Sequence, residues 1–208
     1  MRKVLFIDKD GTLLKDVSYN ADPSKIEFNE GAAESLQSIR DLGFEFIVIT
    51  NQPGIALGYF NEEKVAGIKR RIADIMLQHD LELLDLYYCP HLPNATVQQY
   101  ATVCNCRKPK PRMLLKAAFD HQIDLNESWM VGDILDDVEA GKSAGCRGVL
   151  LDNGNETEWL ITETRSPDHT IKNWWDLPPI IKQSLSYHNE GRMVDLQKSA
   201  LRKGGQSG

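Results

Sequence analysis

The sequence predicts an α/β fold, a doubly wound parallel sheet of the Rossmann-like kind, on three observations. Short unbroken apolar runs at Val4–Ile7, Phe44–Thr50, Ser128–Gly132 and Arg147–Leu151 read as strands buried on both faces. Stretches with helical period lie between them. Several of the runs also end abruptly in polar, chemistry-bearing residues, where the strands of such sheets present ligand sites.

The first run ends in Asp8-Lys9-Asp10-Gly11-Thr12. Two carboxylates so close repel one another unless a cation or a shared proton holds them. Hard oxygen donors with no His or Cys beside them favour Mg²⁺ over zinc. A polar loop over 15–23 has no core-forming period. Gly31–Gly43 then reads as a helix, with Leu36, Ile39 and Leu42 on one side and Gly43 as its stop. Strand, helix and the strand Phe44–Thr50 form a βαβ unit, which places the Thr50 hydroxyl on the same sheet edge as Asp8.

Asn61–His79 is a long helix capped by Asn61, with Glu62 and Glu63 in its first turn and a stripe of Val65, Ile68, Ile72, Ile75 and Met76. Leu83–Tyr88 is a third strand. An irregular segment covers 89–111, and Met113–His121 is helical. The fourth strand ends in Gly132-Asp133. A helix over Asp136–Gly145 follows, where Asp136 and Asp137 fit the preference of a helix N-terminus for acids. Beyond the fifth strand, His169–Ile171 and a helix-like Leu177–Leu185 complete the fold, and Trp174-Trp175 reads as packing. Residues 1–187 form one expected domain, and 188–208 a polar, disordered tail.

Composition bounds the function. The 208 residues are 41% hydrophobic and 26% charged, ordinary for one soluble domain. No apolar run approaches the roughly 18–20 residues that span a bilayer, and a strand begins at once, so no membrane association and a cytoplasmic monomer are expected. A net charge of −6 argues against a nucleic-acid surface. An anionic substrate must then meet a local basic cluster. One exists, Arg107-Lys108-Pro109-Lys110-Pro111-Arg112, too short and proline-broken for a nucleic-acid patch.

Three of the four cysteines crowd into the irregular segment. Cys89-Pro90-His91 and Cys104-Asn105-Cys106 stand twelve residues apart, and three sulfurs with one imidazole suit a closed tetrahedral Zn²⁺ site. Such a metal would order a loop with little apolar content. A disulfide would leave His91 unexplained. Cys146, beside a strand, reads as a small buried residue.

Taken together, Asp8-x-Asp10-Gly-Thr-Leu, Thr50-Asn51-Gln52, Lys108-Pro109 and Gly132-Asp133 resemble the four motifs of haloacid dehalogenase superfamily phosphatases, over roughly residues 3–150. The resemblance implies that fold, with Asp8 as nucleophile and Mg²⁺ ligand. It implies Asp10 as acid and base, with its backbone carbonyl on Mg²⁺, and Asp133 as the second carboxylate ligand. Lys108 and Thr50 would hold the phosphoryl group. The Cys/His loop is similar to that of the zinc-containing branch, which includes heptose-bisphosphate and histidinol-phosphate phosphatases. By that likeness zinc is structural, and Arg107 is braced to grip a phosphate or hydroxyls.

Only forty residues separate Asp10 from Thr50, which leaves no room for a large cap domain. Short loops must choose the substrate. Gly54-Ile-Ala-Leu-Gly58-Tyr-Phe60 resembles the heptose enzymes, Asp16 and Tyr19 fall where those enzymes contact sugar, and Asn51 and Gln52, just before the same loop, are expected to bind substrate with them. The implied substrate is a sugar bisphosphate, D-glycero-D-manno-heptose 1,7-bisphosphate, losing its C7 phosphate. Histidinol phosphate is the alternative substrate. A catalytically silent sugar-phosphate-binding module is the alternative of another class, though Asp8, Asp10 and Asp133 are all retained. Two departures stand out: Ile134 replaces a frequent Lys after the last motif, and Arg112 replaces a common Gly.

Overall fold

A computed structural model describes residues 1–17, 19–20 and 22–186. The tail over 188–208 lies outside the described residues. Six strands form one sheet: β1 (Val4–Ile7), β2 (Glu45–Asn51), β3 (Leu83–Cys89), β4 (Trp129–Gly132), β5 (Arg147–Leu151) and β6 (His169–Ile171). Their order is β3-β2-β1-β4-β5-β6, and every neighbouring pair is parallel. The chain therefore winds outward from β1 in both directions, as a doubly wound sheet does. Ile7 pairs in register with both Val48 and Val131, so β1, β2 and β4 end close together.

The period-two geometry of a strand divides the apolar runs between two cores. Leu5, Ile7, Phe46, Val48 and Val131 face one layer, against α1 (Ala32–Asp41) and α3 (Glu62–Gln78). Val4, Phe6, Ile47, Ile49 and Met130 face the other, against α4 (Arg112–His121) and α5 (Leu135–Ala144). Unbroken hydrophobicity is thus required: there is no solvent face for a polar alternate. A short α2 (Pro53–Ala56) follows β2.

The stripe predicted for α3 is the buried one, Val65, Ile68, Ile72, Ile75 and Met76. Asn61 holds the cap position without accepting a cap bond; its amide donates to Glu63 Oε2 at 3.2 Å. Residues 177–186 are helical, and Leu177 and Ile181 are buried. Trp174 is buried with its indole N–H on the Thr12 carbonyl at 3.0 Å. Trp175 is half-exposed but covers Gly31, whose φ of +76° begins α1. Between β1 and β2 lie only α1 and a 3-10 turn at Pro23–Lys25 among the described residues, with no cap domain. No helix of the described residues is long and apolar enough to cross a membrane.

Candidate active site

The ends of β1, β2 and β4 meet the segment after the Cys/His loop at one cleft of about 370 Å³. Asp8, the first residue beyond β1, is almost fully buried and ion-paired with the Lys108 ammonium. Lys108 comes from a loop, so something must fix it. Its Nζ also pairs with Asp137 Oδ1 at 2.6 Å and donates to the Ile49 carbonyl at 3.0 Å. Its backbone is clamped by Asn51, which donates to the Lys108 carbonyl at 3.2 Å and accepts the Lys108 N–H at 3.0 Å.

Burial alone would depress the Lys108 pKa, yet the Asp137 and Asp8 carboxylates overcome it and push the pKa up. Burial raises the Asp8 and Asp137 carboxyls, against the opposing pull of Lys108, and neighbouring carboxylates add to the rise. The lysine is therefore held as a cation, and the acids are short of positive charge.

Asp10 is placed differently. Its carboxylate turns to Lys9 Nζ at 2.5 Å and to the Gln52 amide at 3.2 Å. The same Gln52 amide donates to the Thr50 hydroxyl at 2.9 Å. One buried glutamine thus sets both the carboxylate outside the lysine pair and the hydroxyl at the end of β2. Asp133, beyond β4, accepts from the Thr12 hydroxyl at 3.1 Å and from the Asn155 amide at 2.7 Å.

Oxygens of Asp8, Asp133 and Asp137 lie within 4.8 Å of one another. Three buried carboxylates facing one ammonium leave excess negative charge, and an all-oxygen set of this kind fits Mg²⁺. The Asp10 side chain is not in that group. Asp137 sits in the first turn of α5 as the sequence predicts, its Oδ2 accepting the Ile134 N–H at 3.4 Å, and it has a second role that the sequence does not announce: it is fully buried and paired with Lys108.

Asp16 and Arg107 line the cleft, as does Ile134. Arg107 Nη1 is buried without a hydrogen-bond partner among the described residues. Tyr19 adjoins the cleft beside Asp16 and Gln52, its ring edge-on to Tyr59 with centroids 4.9 Å apart. Asn51 lines the cleft, and its side chain also engages the Lys108 backbone. Arg112 is exposed at the start of α4 and is not among the residues that line the cleft.

The Cys/His loop brings its four donors together. Cys89 Sγ lies 3.5 Å from Cys104 and 3.1 Å from Cys106, and His91 Nδ1 lies 3.3 Å from Cys106 and 3.6 Å from Cys89. These separations suit four ligands around one tetrahedral ion, and all four cysteines are free of disulfides. Cys146 is buried, as expected. Cys89 is the last residue of β3, paired in register with Asn51, so the cluster is anchored in the sheet. The Arg107 N–H on Cys104 Sγ at 3.4 Å ties it directly to the basic segment. Glu62 braces the loop from α3, accepting the Tyr88 and Tyr100 hydroxyls at 2.6 and 2.7 Å.

Two site residues escaped the sequence reading, Asp137 and Asn155. The available signals were a second acid one turn into α5, and two asparagines flanking Gly154 just past a strand end.

The HAD-hydrolase-like family profile matches residues 105–177. The D-glycero-beta-D-manno-heptose-1,7-bisphosphate 7-phosphatase of Pasteurella multocida (strain Pm70) is 36% identical over 184 residues, 88% of this chain and 98% of that protein. The enzyme of the same name from Escherichia coli (strain K12) is 34% identical, over 81% of this chain and 93% of its own length. Among solved structures, the D,D-heptose 1,7-bisphosphate phosphatase of B. bronchiseptica, complexed with magnesium and phosphate, superposes with a TM-score of 0.68. It is 23% identical and covers 89% of this chain and 99% of its own.

Proposed function

This chain belongs to the haloacid dehalogenase-like phosphatases, with the heptose-1,7-bisphosphate 7-phosphatases among its relatives, and on that premise we propose that it removes the C7 phosphate of D-glycero-D-manno-heptose 1,7-bisphosphate. The observation that carries this reading is the pairing of a buried Asp8–Lys108–Asp137 cluster with a separate, hydrogen-bonded Asp10 beside it. One carboxylate is held for attack and another for proton transfer.

In the proposed reaction, an Asp8 oxygen attacks phosphorus as the bond to the sugar oxygen breaks, giving an aspartyl-phosphate. Asp10 donates its proton to the departing alkoxide. It then takes a proton from the water that attacks phosphorus, releasing inorganic phosphate and restoring the Asp8 carboxylate. Gln52 holds Asp10 in place, and Lys108 and the Thr50 hydroxyl take the phosphoryl oxygens. Mg²⁺, held by Asp8, Asp133 and the Asp10 carbonyl with Asp137 beside it, would supply the positive charge that lets a carboxylate approach a phosphate dianion. Zn²⁺ on Cys89, His91, Cys104 and Cys106 would be structural, since its four donors leave no open position.

Asp16, Tyr19, Gln52 and Arg107 form the walls that meet the sugar. The test is parallel turnover of heptose 1,7-bisphosphate and histidinol phosphate by purified protein with Mg²⁺. Preference for the bisphosphate supports the assignment, and preference for histidinol phosphate rejects it.

A further inference from the structure

The loop after β5 reaches back across the site at three points. The Asn153 amide donates to the Gly11 carbonyl at 2.9 Å. The Asn155 amide donates to Asp133 Oδ2 at 2.7 Å. Glu156 Oε2 accepts the N–H of Leu135, the first residue of α5, at 2.5 Å. Ile134 stands at the cap position of that helix with no side-chain oxygen, so Glu156 supplies the acceptor from elsewhere in the chain. The loop also braces itself, because the Asn155 N–H donates to Asn153 Oδ1 at 3.1 Å.

These contacts close a ring from Gly11 through Asn153 and Asn155 to Asp133. Gly11 is built for it. Its φ is +79°, and a Cβ there would collide with the Asp133 carboxylate and come within 2.7 Å of Asn155 Nδ2. None of the four strand-end motifs includes this loop.

We infer that Asn155 is a positioning residue for the divalent-cation site, acting through Asp133. An aspartate carboxylate turns easily about its last torsion. Here Thr12 holds Oδ1 and Asn155 holds Oδ2, so the plane of the carboxylate is fixed while further lone pairs stay open to a cation. A carboxamide does this without adding another negative charge to an acid-rich site. Outer-shell donors of this kind commonly govern metal affinity by about 10–100-fold. The inference rests on the reading of Asp133 as a Mg²⁺ ligand.

The test is Mg²⁺ binding to the full chain by titration calorimetry, without substrate. Asn155→Ala and the bulkier Asn155→Leu, which also lacks a donor, should each weaken Mg²⁺ binding roughly tenfold, toward the lower end of that range. Their thermal midpoints in Mg²⁺-free buffer should match that of the unmodified chain. Both variants binding Mg²⁺ as tightly as the unmodified chain would overturn the inference. Asp133→Asn separates the two levels: it should abolish binding. Undiminished binding by that variant would reject the ligand assignment and the role of Asn155 with it.

Discussion

Lys108 Nζ lies 2.6 Å from Asp137 Oδ1, and both side chains are withdrawn from water, at 2% and 0% exposure. A cation needed at the surface of a cleft is thus anchored from beneath. The pair joins the segment after the Cys/His loop to the first turn of α5, so that two elements distant in sequence share one buried charge.

Replacing Asp137 by Asn should cost about 1.5–3 kcal/mol, the range for a hydrogen bond to a charged group. The loss stays below that of a fully orphaned charge because Asp8 still faces Lys108. Urea unfolding measures it. Phosphatase kcat should fall in the same variant with the fold intact by circular dichroism.

Asp8→Asn should lower Mg²⁺-dependent phosphate release by about 10⁴-fold or more, as losses of a nucleophile do. Unfolding curves should show a folded protein, since the substitution removes like-charge repulsion within the acid cluster as well as one partner of Lys108. Turnover close to that of the unmodified chain would contradict the nucleophile assignment.

Elemental analysis should find about one equivalent of zinc per chain. Cys104→Ser should lose the metal and expose residues 89–111 to proteolysis. A metal-free protein with full activity would refute the site.

Glu62 carries a pH prediction. The Tyr88 hydroxyl, and then that of Tyr100, hold its carboxyl below the usual glutamate range. A depressed carboxylate contributes stability above the unfolded pKa and loses it as pH falls through the folded one. The stability gap between the unmodified chain and Glu62→Gln should therefore be full at neutral pH and close in acid, below the usual glutamate pKa. Glu62 is exposed, so solvent screening keeps the gap to about 0.5 kcal/mol or less. Thermal melts across a pH series check it.

Gly31→Ala should destabilise the fold by about 1–3 kcal/mol. Its φ of +76° disfavours any side chain, and a Cβ would sit 2.6 Å from the Trp175 ring. Gly43→Ala, at φ +87° with its nearest neighbour 3.7 Å away on the Lys3 side chain, isolates the backbone part of that cost. Equal losses at both positions would mean that the indole moves aside freely.

Much of this arrangement was legible in the residues. Val4–Ile7 and Phe44–Thr50 could only be two-faced strands, and Asp8, Asp10, Thr50 and Asp133 followed at or just beyond strand ends. The crowding of Cys89, His91, Cys104 and Cys106 likewise announced their meeting. The pairing of Asp137 with Lys108 was missed because an acid in a first helical turn already has a sufficient local explanation, and Asp137 does meet it by accepting the Ile134 N–H. Only tertiary burial against Lys108 distinguishes it from its neighbour Asp136, which pairs with Arg165 nearer the surface. Asn155 was missed because its partner is set by the sheet order, which brings the loop after β5 over Gly11. The hold of the Asn51 side chain on the Lys108 backbone was also missed, because sequence spacing carries no signal for a bond between positions 51 and 108.

The strand order has a consequence for divergence. The buried acids Asp8 and Asp133 follow β1 and β4 at the middle of the sheet, while the loops after β1 and β2 line the outer part of the cleft with Asp16, Tyr19 and Gly54, and the far margin ends in the short β6. Insertions or deletions in those outer loops should therefore leave the strand ends, and the carboxylates they carry, where they are.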